Sequence, residues 1–193
     1  MMRRSETIRI LAISGSLRAA SSNTALLRAA AALAPEGVEI AVYGGLGDLP
    51  HFNPDLEEAQ PAAVTELRAL VRQADGLLIS SPEYAHGVPG VMKNALDWLV
   101  GGEEFIHMPV ALFNASAGGT YAQASLLETL TAMSARIVTA ASITVPLRGK
   151  DPDVAGIVSH PEQSSAVRAS LMIFARAIET YRDDQEVQRW RSG

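Results

Sequence analysis

Residues 8–34, "IRILAISGSLRAASSNTALLRAAAALA", contain a strand, a polar loop and a helix in immediate succession. The first seven residues are apolar and rich in isoleucine, which predicts a buried strand over 8–14. The stretch 23–34 places its leucines and alanines on one helical face, so a helix is predicted there. Between the two lies a loop of small polar residues. This order of elements predicts the first unit of an α/β fold.

The same alternation continues along the chain. Further strands are predicted at 38–44, 76–84, 109–119 and 136–145, and helices at 61–75, 89–101, 121–135 and 161–183. Residues 45–61 are a turn-rich loop and 146–162 a long polar loop. Strand-length apolar runs that alternate with helical segments are typical of a parallel sheet with crossover helices. A length of 193 residues suits a single domain, 1–193.

Composition narrows the functional class. The net charge is -5 without a basic stripe, so nucleic acid is not an expected partner. The chain contains no cysteine, which excludes disulfides, thiolate nucleophiles and Cys-ligated metals. The four histidines show no metal-ligand spacing, so we expect no metal site. No apolar run has the length of a membrane span, and the start of the chain lacks a signal-peptide pattern. We therefore expect a cytoplasmic protein without a membrane partner.

The loop after the first strand is suited to an anion. A helix N-terminus offers free N–H groups and a favourable dipole, to which hydroxyl, amide and guanidinium donors add. These donors are Ser16, Arg18, Ser21, Ser22, Asn23 and Thr24. Neither a Gly-Lys-Ser/Thr sequence nor G-x-G-x-x-G is present, so a mononucleotide phosphate fits better than a triphosphate or dinucleotide. The alternative is that Ser22 or Asn23 merely caps the helix.

A second motif accompanies the loop. The loop "GSLRAASSN" (15–23) and the longer "SPEYAHGVPGVMKNALDWL" (81–99) together resemble the NADPH-dependent FMN reductase family, a flavodoxin-like group that includes chromate, quinone and azo-dye reductases. The likeness in element order extends from about residue 8 to residue 180. It implies a three-layer sandwich with a five-stranded parallel sheet in the order 2-1-3-4-5 and helices on both faces.

The resemblance also implies an FMN site at the carboxyl ends of strands one, three and four. The implied cofactor-binding residues are Ser16, Arg18, Ser21, Ser22, Asn23, Pro82, Glu83, Tyr84, Ala85, Ser116 and Gly119. Ala85 stands where the family usually has asparagine, so a side-chain amide contact is lost there. On the helix that follows, we interpret Lys93 and Asp97 as an i,i+4 pair and Trp98 as a packing residue. We interpret His86 as an exposed loop residue.

The implied activity is transfer of a hydride from NADPH or NADH to FMN, and then of electrons to a small acceptor by a ping-pong cycle. The acceptor is a quinone, a flavin, an azo dye or chromate, and the enzyme is a homodimer or homotetramer. No catalytic residue is expected, because the flavin carries the chemistry. Arg18, Arg148 and Lys150 are candidates for holding the 2′-phosphate of NADPH.

Two other functions share this fold. A flavodoxin-type electron carrier would bind FMN but not react with nicotinamides, and its flavin would be covered by aromatic residues on both sides. Here the loop after the fourth strand offers mainly small residues, which favours an open reductase site, although Tyr121 weakens that argument. The other alternative is a non-catalytic flavin redox sensor.

Overall fold

In the computed structural model, residues 7–147 and 153–192 are described, with side chains of the last helix as far as Gln185. The strands are β1 (Ile8–Ser14), β2 (Val38–Tyr43), β3 (Gly76–Ser80), β4 (Pro109–Asn114), β5 (Arg136–Ile137) and β6 (Ile143–Thr144). The helices are α1 (Ser22–Ala32), α2 (Ala62–Gln73), α3 (Gly90–Val100), α4 (Thr120–Ala132), α5 (Val154–Ser159) and α6 (Pro161–Ser192). The sheet order is β2-β1-β3-β4-β5, with β6 beside β4, and these pairs are parallel. The predicted flavodoxin-like order is therefore confirmed.

The central strands are buried on both faces, because consecutive side chains point to opposite sides of a sheet. Leu11 and Ile13 of β1 belong to the core that the sheet shares with α2, α3 and α4. Ile10 and Ala12 belong to the opposite core, which includes side chains of α1 and α6. Two cores on the two faces of one sheet make the predicted three-layer sandwich.

The fifth strand differs from the prediction. The continuous strand expected over 136–145 is divided into β5 and β6 by a 3₁₀ turn at Thr139–Ala141. Side-chain hydroxyls support the interruption: Ser142 Oγ accepts from the Leu112 N–H at 3.0 Å, and the buried Ser170 Oγ donates to the Ala141 carbonyl. Since polar side chains replace the missing strand contacts, the apolar pattern alone could not reveal the break.

The long polar loop 146–162 contains a helix that was not predicted. Asp153 caps α5 by accepting from the Gly156 N–H, and Ile157 packs against Ala25 and Ala29 of α1. The next helix, α6, extends to Ser192, beyond the predicted end at 183. Arg148 and Lys150, the candidates for NADPH recognition, lie outside the described residues.

The helix that forms the second half of the second motif, α3, has structural roles that match the prediction. Lys93 pairs with Asp97, and Trp98 is buried in the core. The indole Nε1 of Trp98 and the Asn94 amide both donate to the Pro50 carbonyl, at 2.8 and 3.0 Å. Asn94 Oδ1 also accepts from the Phe52 N–H at 2.7 Å. These contacts hold residues 50–52, which sequence reasoning left in an unassigned loop.

Within the described ranges, no helix combines the length and apolar character needed to cross a membrane.

Candidate active site

A cleft of about 510 Å³ opens at the carboxyl ends of the strands. Loops after β1, β3, β4 and β6 form its wall. The lining residues are Ser22, Asn23, Ser81, Pro82, Glu83, Asn114, Ala115, Ser116, Ala117, Gly118, Gly119, Pro146 and Leu147. This volume is in the usual range of cofactor sites, and the position is where α/β sheets of this kind bind ligands.

The structure brings together six of the eleven residues predicted to bind the cofactor. The six that line the cleft are Ser22, Asn23, Pro82, Glu83, Ser116 and Gly119. The others lie in the same loops but are not part of the cleft wall: Ser16, Arg18, Ser21, Tyr84 and Ala85.

The β1–α1 loop is organised by short hydroxyl contacts. The N-cap of α1 is Ser21 rather than Ser22 or Asn23, and the Ser21 Oγ accepts from the Thr24 N–H at 3.3 Å. Ser14 and Thr24 hydroxyls lie 2.8 Å apart, which ties the end of β1 to the first turn of the helix. The N–H groups of Ser22 and Asn23 belong to that first turn, where no intrahelical acceptor exists. Capping therefore coexists with a free helix N-terminus at the cleft.

Asn23 links this loop to the next strand. Its side chain is buried, and its Oδ1 accepts from the Ser80 hydroxyl at the end of β3 at 2.9 Å. Since the oxygen is engaged in this way, the amide nitrogen is left as a donor for a ligand. Gly15 allows the β1–α1 loop to lie close to the loop after β3, because a Cβ at position 15 would lie 2.3 Å from Ser81 Oγ.

The loop after β3 contains a tight reverse turn. Tyr84 and Gly87 exchange backbone hydrogen bonds of 3.1 and 2.9 Å. The two central residues have positive φ, 50° at Ala85 and 60° at His86. Asn and Gly are the residues that usually adopt this conformation. The turn therefore explains in backbone terms why an asparagine suits position 85, and it places Ala85 under strain.

Glu83 connects the β3 loop to the helix on the other side of the cleft. Its Oε2 accepts from the Ala122 N–H in the first turn of α4 at 2.8 Å. The residue in the cap position of α4 is Gly119, which has no side chain to accept a hydrogen bond from the first turn of the helix. The carboxylate thus serves as a distant N-cap, and it also places negative charge at the positive end of the helix dipole.

The β4–α4 loop is built around Asn114 and Ser116. Asn114 Oδ1 accepts from the Ser116 N–H at 2.9 Å, and Ser116 Oγ accepts from the Gly118 N–H at 3.2 Å. A Cβ on Gly119 would lie 3.6 Å from the Glu83 Cβ and 3.8 Å from Asn114 Oδ1. A side chain at this position would therefore occupy the cleft, which glycine leaves free for a flat ligand.

Sequence reasoning missed several lining residues. Asn114 lies within the fourth strand as predicted from the sequence, and its role depends on a turn that the sequence does not display. Pro146 and Leu147 follow β6, whose existence was hidden in the longer predicted strand. The available signal was their position after a strand end, at the edge where the ligand loops converge.

Among the side chains described in residues 7–147 and 153–185, no three of His, Asp or Glu form a group able to hold a metal ion.

Comparison with known proteins agrees with the geometry. The family model of NADPH-dependent FMN reductases matches residues 8–148. The NAD(P)H-dependent FMN reductase of Pseudomonas aeruginosa is 42% identical over 132 residues, which are 65% of this chain and 71% of that protein. The quinone reductase of Escherichia coli K12 is 40% identical over 97 residues, 49% of this chain, so the match spans about half (52%) of that relative's length.

A solved structure extends the likeness beyond the matched sequence. FerB of Paracoccus denitrificans, a flavoenzyme NAD(P)H:(acceptor) oxidoreductase, superimposes with a TM-score of 0.80 and 27% identity. The match covers 90% of this chain and 98% of that one. The resemblance in the two motifs is thus confirmed, and with it the expected enzyme class and the FMN and NAD(P)H cofactors. The chain belongs to the NADPH-dependent FMN reductase family.

Proposed function

We propose that this protein binds FMN in the cleft and transfers two electrons from NADPH or NADH to a quinone. The observation that carries the proposal is a single cleft bounded by two helix N-termini, α1 at one side and α4 at the other, with a flat, small-residue wall near α4. Hydroxyl and amide donors meet one part of a phosphorylated flavin, and glycine-rich backbone meets the other. The donor set therefore fits FMN.

The phosphate belongs at α1. The first-turn N–H groups, the Ser22 hydroxyl and the Asn23 amide nitrogen are the donors on the cleft wall. Ser16 and Ser21 shape the loop around them, with Ser16 Oγ accepting from the Arg18 N–H at 3.3 Å. The Arg18 side chain is exposed on this loop and supplies positive charge toward the phosphate.

The ring belongs between the β3 and β4 loops. Pro82 and Glu83 form one side, with the reverse turn at Tyr84–Gly87 directly after them, and Ser116 and Gly119 form the other side. Bound FMN supplies the acceptance and release of a hydride equivalent. The protein's residues bind and orient it and leave one face accessible, and no side chain is assigned as a catalytic acid or base.

We favour a quinone as the acceptor, because a relative with 40% identity over 97 residues is named quinone reductase. The balanced reaction is NAD(P)H + H⁺ + quinone → NAD(P)⁺ + hydroquinone. We further propose that donor and acceptor use the same open face in turn, which is a ping-pong cycle. Free flavin, azo dyes and chromate remain alternative acceptors.

We also propose a homodimer or homotetramer. Exposed apolar residues at the end of α3 and in the segment that follows it support self-association: Val100 is 57% and Ile106 52% exposed. A cytoplasmic location accompanies the proposal, since NAD(P)H is available there. Size-exclusion chromatography with light scattering measures the assembly directly.

An anaerobic absorbance experiment tests the activity. FMN is mixed with catalytic amounts of protein and NADPH or NADH, and the flavin band is followed before and after addition of a naphthoquinone. Bleaching followed by recovery of the band supports the reductase. Tight FMN binding without bleaching by either nicotinamide would instead support an electron carrier or a redox sensor. Absence of FMN binding would overturn the proposed site.

A ping-pong cycle has its own signature. Initial rates measured at several NADPH concentrations give parallel double-reciprocal lines when the quinone is varied. Intersecting lines would show that donor and acceptor bind together.

A further inference from the structure

Three aromatic residues lie next to the cleft-lining residues of the β3 and β4 loops. We call Tyr84, His86 and Tyr121 the aromatic rim. Tyr84 and His86 belong to the turn after β3, and Tyr121 lies in the first turn of α4, two residues beyond the cleft-lining Gly119. The rim therefore joins the two loops between which the flavin ring is proposed to bind.

The contact across the rim is a stack. The His86 and Tyr121 rings have centroids 4.4 Å apart and planes inclined by 22°. The φ of 60° at His86 belongs to the reverse turn between Tyr84 and Gly87, a conformation that histidine adopts more readily than most residues. The neighbouring Glu83–Ala122 hydrogen bond already fastens the same loop to α4 at 2.8 Å. The loop is thus held to α4 without the stack.

The exposure of the rim is unusual for this chain. Of its four tyrosines, Tyr43 is buried and Tyr181 half-buried, whereas Tyr84 and Tyr121 are 56% and 60% exposed. Both exposed tyrosines lie within two residues of the cleft wall, since Tyr84 follows Glu83 and Tyr121 comes two residues after Gly119. Clustered exposed aromatic surface is typical of a binding site, because the rings present a large apolar face.

We infer that the His86–Tyr121 stack is a specificity element that receives the planar ring of the electron acceptor. One face of Tyr121 is covered by His86, and the remainder of the ring is open to a third planar group in an offset stack. The occupant is an aromatic quinone, and acceptors without a ring gain nothing from this surface. The inference rests on the proposed function, whose activity it refines.

Steady-state kinetics of the FMN-loaded enzyme test this role. NADPH is held at saturation while either a naphthoquinone or ferricyanide, which has no aromatic ring, is varied. For Tyr121→Leu we expect kcat/KM for the naphthoquinone to fall roughly two- to tenfold through KM, the size of one aromatic pair. We expect kcat/KM for ferricyanide to stay unchanged. Tyr121→Phe keeps the ring and is expected to retain the wild-type quinone KM.

His86→Asn removes the stacking partner and keeps a residue that tolerates positive φ. It is expected to raise the quinone KM as well, by less than Tyr121→Leu. Tyr181→Leu is the matched control, because this half-buried tyrosine lies on α6 beside Arg136, which pairs with Pro109 at the amino end of β4, whereas the cleft is at the carboxyl ends of the strands. It should leave both acceptors unaffected.

A binding measurement without turnover accompanies the kinetics. Calorimetric titration of the FMN-loaded protein with 2-naphthol, a planar compound that is not reduced, should show weaker binding for Tyr121→Leu than for Tyr121→Phe. FMN affinity, measured by fluorescence quenching, should be equal in both variants.

The outcomes separate the inference from the function. If wild-type enzyme reduces the naphthoquinone and Tyr121→Leu does so with the same KM, the stack has no role in acceptor binding. If naphthoquinone and ferricyanide rates fall equally, or FMN affinity falls, the stack only maintains the site, and the inference is wrong. If the wild-type flavin is not reduced by NAD(P)H, the proposed function fails first.

Discussion

The helices α1 and α4 both present their N-termini to the cleft, but their caps come from different places. At α1 the cap is local, because Ser21 bonds the Thr24 N–H three residues away. At α4 the cap is distant, because Glu83 bonds Ala122 from a loop 39 residues earlier in the chain. A local cap forms with the helix itself. A distant cap makes the helix start depend on the position of another loop, and so couples the two walls of the cleft.

The largest effect is expected at Asn23 in the first turn of α1, because its hydrogen bond to Ser80 is buried. Asn23→Ala leaves the buried Ser80 hydroxyl without its acceptor, which costs about 1–3 kcal/mol of stability. Urea unfolding of the FMN-free protein measures this loss, and FMN titration should show weaker binding. In the double variant with Ser80→Ala the unpaired group is gone, so the combined loss should be smaller than the sum of the single losses. Strict additivity would show that the two side chains do not interact.

The distant cap should give the next largest effect. Glu83→Ala removes a charge-assisted bond from the α4 N-terminus and is expected to cost about 1–2 kcal/mol. Because α4 lies at the ring end of the cleft, affinity should fall similarly for FMN and for riboflavin, which lacks the phosphate. Glu83→Gln keeps an acceptor oxygen and should lose less. A variant that loses affinity only for FMN would contradict this division of the cleft.

Ser21→Ala tests the local cap alone. The expected cost is about 1 kcal/mol, the usual value for loss of a serine N-cap. Riboflavin affinity should be unchanged while FMN affinity falls, since α1 contacts the phosphate end. Ser21→Asn preserves capping and serves as the control for thermal unfolding. Equal losses for both flavins would place the ring rather than the phosphate near α1.

The smallest effect has the opposite sign. Ala85→Gly relieves a positive φ in the reverse turn and should stabilise the protein by about 0.5–1 kcal/mol, which appears as a higher melting temperature. Ala85→Asn should act in the same direction. Ala117→Gly, at an exposed loop position on the cleft wall with no positive φ, is the comparison and should not stabilise. A lower melting temperature for Ala85→Gly would mean that the Ala85 methyl group makes a contact worth more than the strain.

The distinction between local and distant contacts also explains which parts of the fold and of the site could be predicted from the sequence. The strand–loop–helix at 8–34, the order of the elements and the Lys93–Asp97 pair are local or periodic features, and all are visible in the sequence. The Glu83 cap and the Ser142 contact that divides the fifth strand join residues that only the folded chain brings together. Of the six predicted site residues that line the cleft, four lie in the two family motifs, and Ser116 and Gly119 lie in the small-residue stretch that follows the fourth strand. Pro146 and Leu147 escaped because no motif covers them.

The divided fifth strand has a consequence for the behaviour of the protein in concentrated solution. Sheet edges offer unpaired backbone groups to which strands of other molecules can add, and long flat edges are the starting points of aggregation. Here the outer position beside β4 is filled by two segments of two residues each, separated by the 3₁₀ turn at Thr139–Ala141. A strand from another molecule that paired with β5 or β6 would find only two consecutive residues to pair with before the segment ends. The hydroxyls of Ser142 and Ser170, which maintain the interruption, thereby also protect this edge from the self-templating that parallel sheets invite.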